Sequence, residues 1–348
     1  MPILSLTDAH TLTVQALTAS GTLPAAAGSV ARALVAAEAD GQAGHGLARV
    51  PSYAAQVRAG KVDGGAVPRL IQTATASLRV DAAGGFAYPA VDMAVDAVAA
   101  LARQMGTAGA GIHASHHIGQ AGLVVERLAD QGMVALIMSN TPAAMATAGG
   151  RRALLGTNPL AFAAPVAGRV PLVIDMALSL VARSKIVAAQ KAGHPIPADW
   201  AVDANGDPTT DPAAALKGAL APIGGAKGAA LALMVEILCG ALAGGRYGWQ
   251  ASSFLDTQGP NPAVGQLIIA FDPAAFSGPD FAGRMGELVQ AIVADGARLP
   301  GDRRLAARAQ AQARGLEVPA ALLEELQSLA AGNKKEGDRQ RMEPVPLP

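Results

Sequence analysis

Residues 106–112 read GTAGAGI, and the chain continues HASHHIGQAG to residue 122. The fold turns on how these glycines are spaced. A dinucleotide-binding βαβ unit carries G-x-G-x-x-G, for a tight turn, for close approach of backbone to pyrophosphate, and for helix packing. Gly106, Gly109 and Gly111 come in the wrong order for that turn, and no acidic residue stands at the right place after a following strand. No phosphate loop occurs either. The stretch reads instead as a short strand over 107–115 running into a histidine loop. A Rossmann reading fails on motif, so any nucleotide has to be held another way.

Helices and strands alternate on both sides of this stretch. Residues 25–40, 49–62 and 89–106 show the three- and four-residue apolar spacing of helices, with Pro51 in a first turn and Gly106 as a stop. Residues 123–132, 181–193 and 224–245 read as further helices, and 287–296 and 319–332 as a last helix pair. Residues 76–85, 133–140, 154–166, 171–179 and 265–273 read as strands and turns, and 196–216 as a polar loop turning at Asn205–Gly206. The class is α/β or mixed α+β. A central cofactor and substrate domain over 76–279 is inserted between 1–75 and 280–332, which form a second, helical domain. Residues 333–348, charged and proline-rich, are expected to be disordered.

Composition narrows the function. The chain has 348 residues, 51% of them hydrophobic, enough for a sizeable core. Its 27 basic and 27 acidic residues cancel, which disfavours nucleic acid or an anionic membrane as partner. One cysteine, Cys239, allows no intrachain disulfide and fits a reducing compartment. The N-terminus lacks the basic and apolar regions of a signal peptide, and Glu236 inside the most apolar stretch argues for a buried helix over a membrane span. A cytoplasmic protein is expected.

Five constellations bear on chemistry. His45 stands between Gly44 and Gly46, with Arg49 four residues on. It reads either as a helix-terminal histidine in a glycine turn or as a proton donor that a substrate can approach, with Arg49 clamping a carboxylate. His113, His116 and His117 read as a surface turn, as ligand-contacting groups, or as metal ligands, but no nearby acid or cysteine completes a metal site. Thr157 and Asn158 in GTNP suit a structural turn or a substrate contact. Asp175 ends an apolar strand, and Lys185 follows on the next helix. Gly224–Gly228, GGAKG, opens a long helix and offers free N–H groups beside Lys227 as an anion seat.

Taken in order, GHGLARVPSY, SHHIGQAG, GGRRALLGTNPLAFAAPV, VIDMALSLVARSKI, IPADWAVDANGDPTTDP, GGAKGAALALMVEIL and RLPGDRR resemble the malate/L-lactate dehydrogenase family of non-Rossmann NAD(P)-dependent oxidoreductases. They cover nearly the whole chain. The resemblance implies a largely antiparallel mixed sheet that binds the nicotinamide cofactor, in a homodimer with its site at domain and subunit boundaries. It implies hydride transfer between NAD(P)H and C2 of a small 2-oxo or 2-imino acid. His45 would be the proton donor, and Arg49 and Thr157 would bind substrate. His117, Gly119, Asp175, Met176, Ala177, Lys227, Gly228, Gly301, Asp302 and Arg303 would line the cofactor. NADPH is the implied cofactor, with NADH open as the alternative, and no metal is implied.

Two departures pull apart. The family's Ser-His-Gly has Gly44 in place of serine, and the acid that ketimine reductases carry ten residues after the Asp175 position is Lys185 here, as in hydroxy-acid members. A full Ser–His–Asp relay therefore does not carry over. The AEADG spacing before His45 nevertheless resembles the ketimine reductase branch. The first expectation is an NADPH-dependent reductase of Δ1-pyrroline-2-carboxylate or Δ1-piperideine-2-carboxylate. The alternative is a 2-hydroxy acid dehydrogenase of malate, lactate or sulfolactate type. A non-catalytic nucleotide-binding protein on the same fold is the rival from another class.

Overall fold

The computed structural model describes residues 1–332, so the tail expected to be disordered over 333–348 lies outside the described residues. The centre is a seven-stranded sheet: β1 (Arg69–Ala74), β2 (Ser77–Asp81), β3 (Thr107–Ser115), β4 (Val134–Ser139), β5 (Leu160–Val166), β6 (Arg169–Met176) and β7 (Val264–Phe271). Their spatial order is β1-β2-β3-β7-β4-β5-β6. Only β2 and β3 run parallel; the other neighbours are antiparallel. This is the mixed, mostly antiparallel sheet expected from the family resemblance, and it accounts for the missing fingerprint. Gly106 is in the left-handed region, φ 78°, and ends a helix. Gly109 and Gly111 lie inside β3, where an added Cβ would come 3.3 Å from the Ile268 carbonyl oxygen and 3.4 Å from Ala243. These glycines serve packing and do not form a phosphate turn.

Helices α1 (Leu6–Ala19), α2 (Pro24–Ala39) and α3 (Val50–Arg58) share one core with C-terminal residues Ala311, Leu316, Val318, Leu326 and Leu329. The chain ends also pair as strands, Ile3–Leu4 against Leu316–Glu317. α4 (Ala87–Met105) and α5 (Ala121–Asp130) cover one face of the sheet. The other face meets α6 (Arg183–Ala192) and α7 (Ala226–Glu236). Alternation along β7 serves both cores: Ile268 points into the first and Leu267 into the second. α8 (Phe281–Ala294) packs Val289 against Val166 of β5. α9 (Asp302–Arg314) and α10 (Ala320–Ala330) complete the chain.

The structure adds α1 and β1, which the sequence reading left unassigned, and differs from that reading in three further places. α9 was not anticipated, because DRRLAARAQAQAR has almost no apolar stripe; its polar face is satisfied by ion pairs. The helix expected over 224–245 is α-helical only to Glu236 and then widens to a π turn over Ile237–Leu242. The polar loop over 196–216 contains the strand Ala201–Val202 and the short helix Pro212–Lys217, capped by Asp211 on the Ala213 N–H. Among the described residues, no helix is long and apolar enough to cross a membrane.

Candidate active site

Two tight 3₁₀ turns, Ala43–His45 and Leu47–Arg49, join α2 to α3 and meet at Gly46. Two side-chain hydrogen bonds hold this loop. The Arg49 Nε–H donates to the Gly44 carbonyl at 2.6 Å. The Leu47 N–H donates to Glu38 Oε2 at 2.7 Å. That same oxygen lies 2.1 Å from where a Cβ on Gly46 would sit, whereas nothing lies within 4 Å of one on Gly44. The two glycines flanking His45 therefore do different work. Gly46 makes room for the Glu38 carboxylate, and only Gly44 leaves open space. We expect Gly46→Ala to destabilise the protein by about 1–3 kcal/mol, the usual cost of overpacking. Gly44→Ala should stay within about 0.5 kcal/mol, as surface changes do. Urea denaturation of the pair checks this, and equal midpoints would overturn it.

His45 stacks on His117, with ring centroids 5.2 Å apart and an interplanar angle of 18°. His117 Nδ1 shares a 2.6 Å hydrogen bond with the Tyr53 hydroxyl, which in turn lies 3.1 Å from the Tyr88 hydroxyl. Burial, and then the charge of Arg49, lowers the pKa of His45 to about 4. Burial and the same guanidinium hold His117 well below the usual histidine range. Burial pushes Tyr53 up to about 12. At neutral pH the site is thus two uncharged imidazoles and an uncharged phenol beside one fixed cation. His45 Nδ1 is buried and makes no hydrogen bond among the described residues. Apart from the bond to Gly44, the Arg49 guanidinium makes none either, so its terminal N–H groups are left for an anion.

The three clustered histidines separate. His113 turns to the sheet surface beside Arg79 and Asp81. His116 is fully buried among Tyr53, Phe86 and Phe254, and among the described residues neither of its ring nitrogens has a hydrogen-bond partner. Only His117 reaches His45. Gly119 follows at φ 72°, and a Cβ there would meet the Tyr88 hydroxyl at 2.6 Å. Glycine is required there by backbone and by space alike.

The remaining candidate residues join this loop stepwise. Asp175 Oδ2 accepts from the Gly122 N–H at the start of α5, 2.7 Å away; burial raises its pKa against that bond and the nearby Arg304. Met176 and Ala177 follow, exposed. The Leu178 N–H donates to the Thr157 carbonyl at 2.8 Å, and the Ile223 N–H to the Leu178 carbonyl at 2.9 Å. GTNP, the end of β6 and the loop before α7 therefore form one surface. Asn158, at φ 38°, is pinned from beneath by Glu236 at 2.8 Å. The Thr157 hydroxyl lies 3.4 Å from that of Thr141. A Cβ on Gly228 would lie 1.7 Å from the Ile223 carbonyl oxygen, so the turn into α7 needs glycine. Lys227 is exposed at that turn, and so is Arg303 on α9. Gly301 precedes α9 at φ 88°, and Asp302 Oδ2 accepts from the Leu299 N–H at 3.0 Å.

Sequence reading missed Glu38, Tyr53 and Tyr88. The only signal was Tyr53 at the end of the HGLARVPSY stretch, eight residues after His45. A dinucleotide fits the surface described. Left-handed Gly119 leads into the N-terminus of α5, and left-handed Gly224 and Gly225 lead into that of α7. The buried Gln120 Oε1 and Arg304 Nε atoms at its edge have no partner among the described residues.

A family model described as malate/L-lactate dehydrogenase matches residues 4–327. A (2R)-3-sulfolactate dehydrogenase (NADP(+)) of Chromohalobacter salexigens is 50% identical over 329 residues, covering 94% of this chain and 98% of that relative. A Delta(1)-pyrroline-2-carboxylate reductase of Ancylobacter novellus is 41% identical over 330 residues, 94% of this chain and 97% of the relative. Among solved structures, a delta1-piperideine-2-carboxylate reductase from Pseudomonas syringae pv. tomato superposes with a TM-score of 0.90 at 40% identity, over 94% of this chain and 100% of that one.

Proposed function

The chain belongs to the malate/L-lactate dehydrogenase family, a family of NAD(P)-dependent oxidoreductases, and from that premise we propose that it reduces C2 of a small cyclic 2-imino acid with NADPH. Δ1-Pyrroline-2-carboxylate would give proline, and Δ1-piperideine-2-carboxylate would give pipecolate. The observation that carries this reading is the pairing of a partly buried, uncharged imidazole with a guanidinium whose terminal nitrogens are free, both on one braced loop.

When bound, NADPH supplies the hydride that C2 receives. Gly119, Asp175, Met176, Ala177, Lys227, Gly228 and the turn at Gly301–Arg303 would hold it. Arg49 binds the substrate carboxylate through its terminal N–H groups and so fixes C2 relative to the loop. His45 transfers the proton to the substrate nitrogen as the double bond is reduced. Thr157 closes the substrate side. The body built on the seven-stranded sheet carries the cofactor, with β1 and α8 belonging to it beyond the expected bounds of 76 and 279, and the terminal pieces bring His45 and α9 to it. The enzyme works as a cytoplasmic homodimer; the exposed apolar residues Leu233, Met234, Ile237 and Leu242 around α7 support a second copy there.

A second reading, oxidation or formation of (2R)-3-sulfolactate, is favoured by the 50% identical relative and by Gly44 and Lys185 at the relay positions. Oxidation of NADPH and NADH by the purified protein separates the two. The panel is Δ1-pyrroline-2-carboxylate, Δ1-piperideine-2-carboxylate, pyruvate, oxaloacetate and sulfopyruvate. The highest kcat/KM is expected for a cyclic imine with NADPH. The highest value for sulfopyruvate would replace that reading with the second.

A further inference from the structure

Beneath the site lies a buried cluster of charge that hydride transfer does not use. Asp40, at the end of α2, and Glu126, on α5, face Arg304 and Arg308, one turn apart on α9. Asp40 Oδ1 accepts from Arg308 Nε at 2.7 Å. Its Oδ2 accepts from Arg304 Nη1 at 3.1 Å, from Arg308 Nη2 at 2.9 Å and from the Gln120 side-chain amide at 2.9 Å. Glu126 takes both arginines with both of its oxygens, at 2.8–3.2 Å. The formal charges cancel, and every carboxylate oxygen is satisfied. Such a quartet is costly to bury and costlier to break from one side.

Its position is the informative part. Asp40 lies five residues before His45. Gly41 between them sits against α9, where an added Cβ would lie 3.4 Å from Ala307. Gln120 follows Gly119 directly and opens α5, the turn that Asp175 holds from its other side. One helix, α9, therefore grips the root of the proton-donor loop and the root of the cofactor loop together. Among the described residues, the Gln120 amide makes the one hydrogen bond that runs directly between those roots.

We propose that Gln120, Asp40 and the Arg304–Arg308 pair are positioning residues that couple the cofactor loop to the His45–Arg49 loop. Occupation of the first by NADPH sets the geometry of the second. The coupling rests on the proposed cofactor and site, and none of the four side chains touches the reacting atoms. A shift of about 1 Å in such a support costs up to 100-fold in rate.

Gln120→Met tests this, because it removes the bond to Asp40 at similar volume and leaves the charges balanced. Arg304→Met would leave two buried carboxylates sharing the single guanidinium of Arg308 and report mainly on folding. The first readout is amide hydrogen exchange with and without NADPH. In the wild type, NADPH should slow exchange over 41–49 as well as over 117–122; in the variant, only over 117–122. The second readout is kinetic. kcat should fall about 10- to 100-fold, by more than any weakening of NADPH binding, and the deuterium isotope effect on the transferred hydride should increase. Protection of 41–49 that persists in the variant, with kcat retained, would overturn the coupling and leave the quartet a structural clamp. If the wild type turns over no substrate in the panel, yet the variant loses the protection at 41–49, the substrate reading falls and the coupling stands.

Discussion

His45→Ala is expected to lower kcat by about 10²- to 10⁴-fold, the usual contribution of a positioned general acid, while NADPH binds as before. The imidazole is the nearest proton-carrying group to Arg49 in the loop, and its unpartnered Nδ1 is buried at the site. Its lowered pKa gives the effect a pH signature. Burial comes first and the Arg49 charge second in holding His45 at about 4. A substrate carboxylate bound to Arg49 offsets the second cause, so the pKa rises in the complex and binding takes up a proton. Reduction needs the protonated form. Its kcat/KM through His45 should therefore fall as pH rises above about 4, whereas the reverse oxidation, which needs the neutral form, keeps its full share of base above that pH. His45→Ala should flatten the limb for reduction. A variant with wild-type kcat and an unchanged limb would remove His45 from the mechanism and turn attention to its stacking partner, His117.

Arg49 carries the second large effect. Arg49→Lys keeps the charge but loses the fork that binds the Gly44 carbonyl and presents the four N–H donors of two terminal nitrogens. A hydrogen bond to a charged group is worth about 1.5–3 kcal/mol, so KM should rise about 10- to 100-fold with little change in NADPH affinity. Arg49→Met should raise KM further. It also removes one of the two causes that depress the pKa of His45, so the limb for reduction should move to higher pH. Unchanged KM in both variants would place the carboxylate elsewhere, with the exposed Lys227 the next cation to test.

The α/β alternation was legible because strong local signals carried it. α4 has a sustained apolar stripe and ends at a left-handed glycine, so Gly106 marked the change to β3 correctly. His45 and Arg49 stood out for the same kind of reason: a scarce residue type between two glycines, with an arginine one turn on. The supports of that pair were not legible. Glu38 reads as one more helix-forming residue until Gly46 is found above it. Tyr53 and Tyr88 read as core aromatics, and only the fold brings both hydroxyls to His117 and Gly119. The Asp40–Arg304 contact spans 264 residues, beyond the reach of any local pattern. Helix α9 escaped notice because Arg304 and Arg308, one turn apart, hold its buried side through ion pairs, which a reading of apolar spacing does not register.

The strand at Ile3–Leu4 pairs with the one at Leu316–Glu317, and this has a consequence for biosynthesis. The ribosome releases Asp40 and Glu126 early, but the two guanidiniums that balance them belong to residues 304 and 308. The helical core likewise waits for residues between 311 and 329. A nascent chain can pair most of its central sheet while the root of the His45 loop still faces water. The loop that carries His45 and Arg49 has all its described partners only once the last tenth of the described chain has emerged. The earliest segment of the candidate site is therefore the last to gain its packing partners.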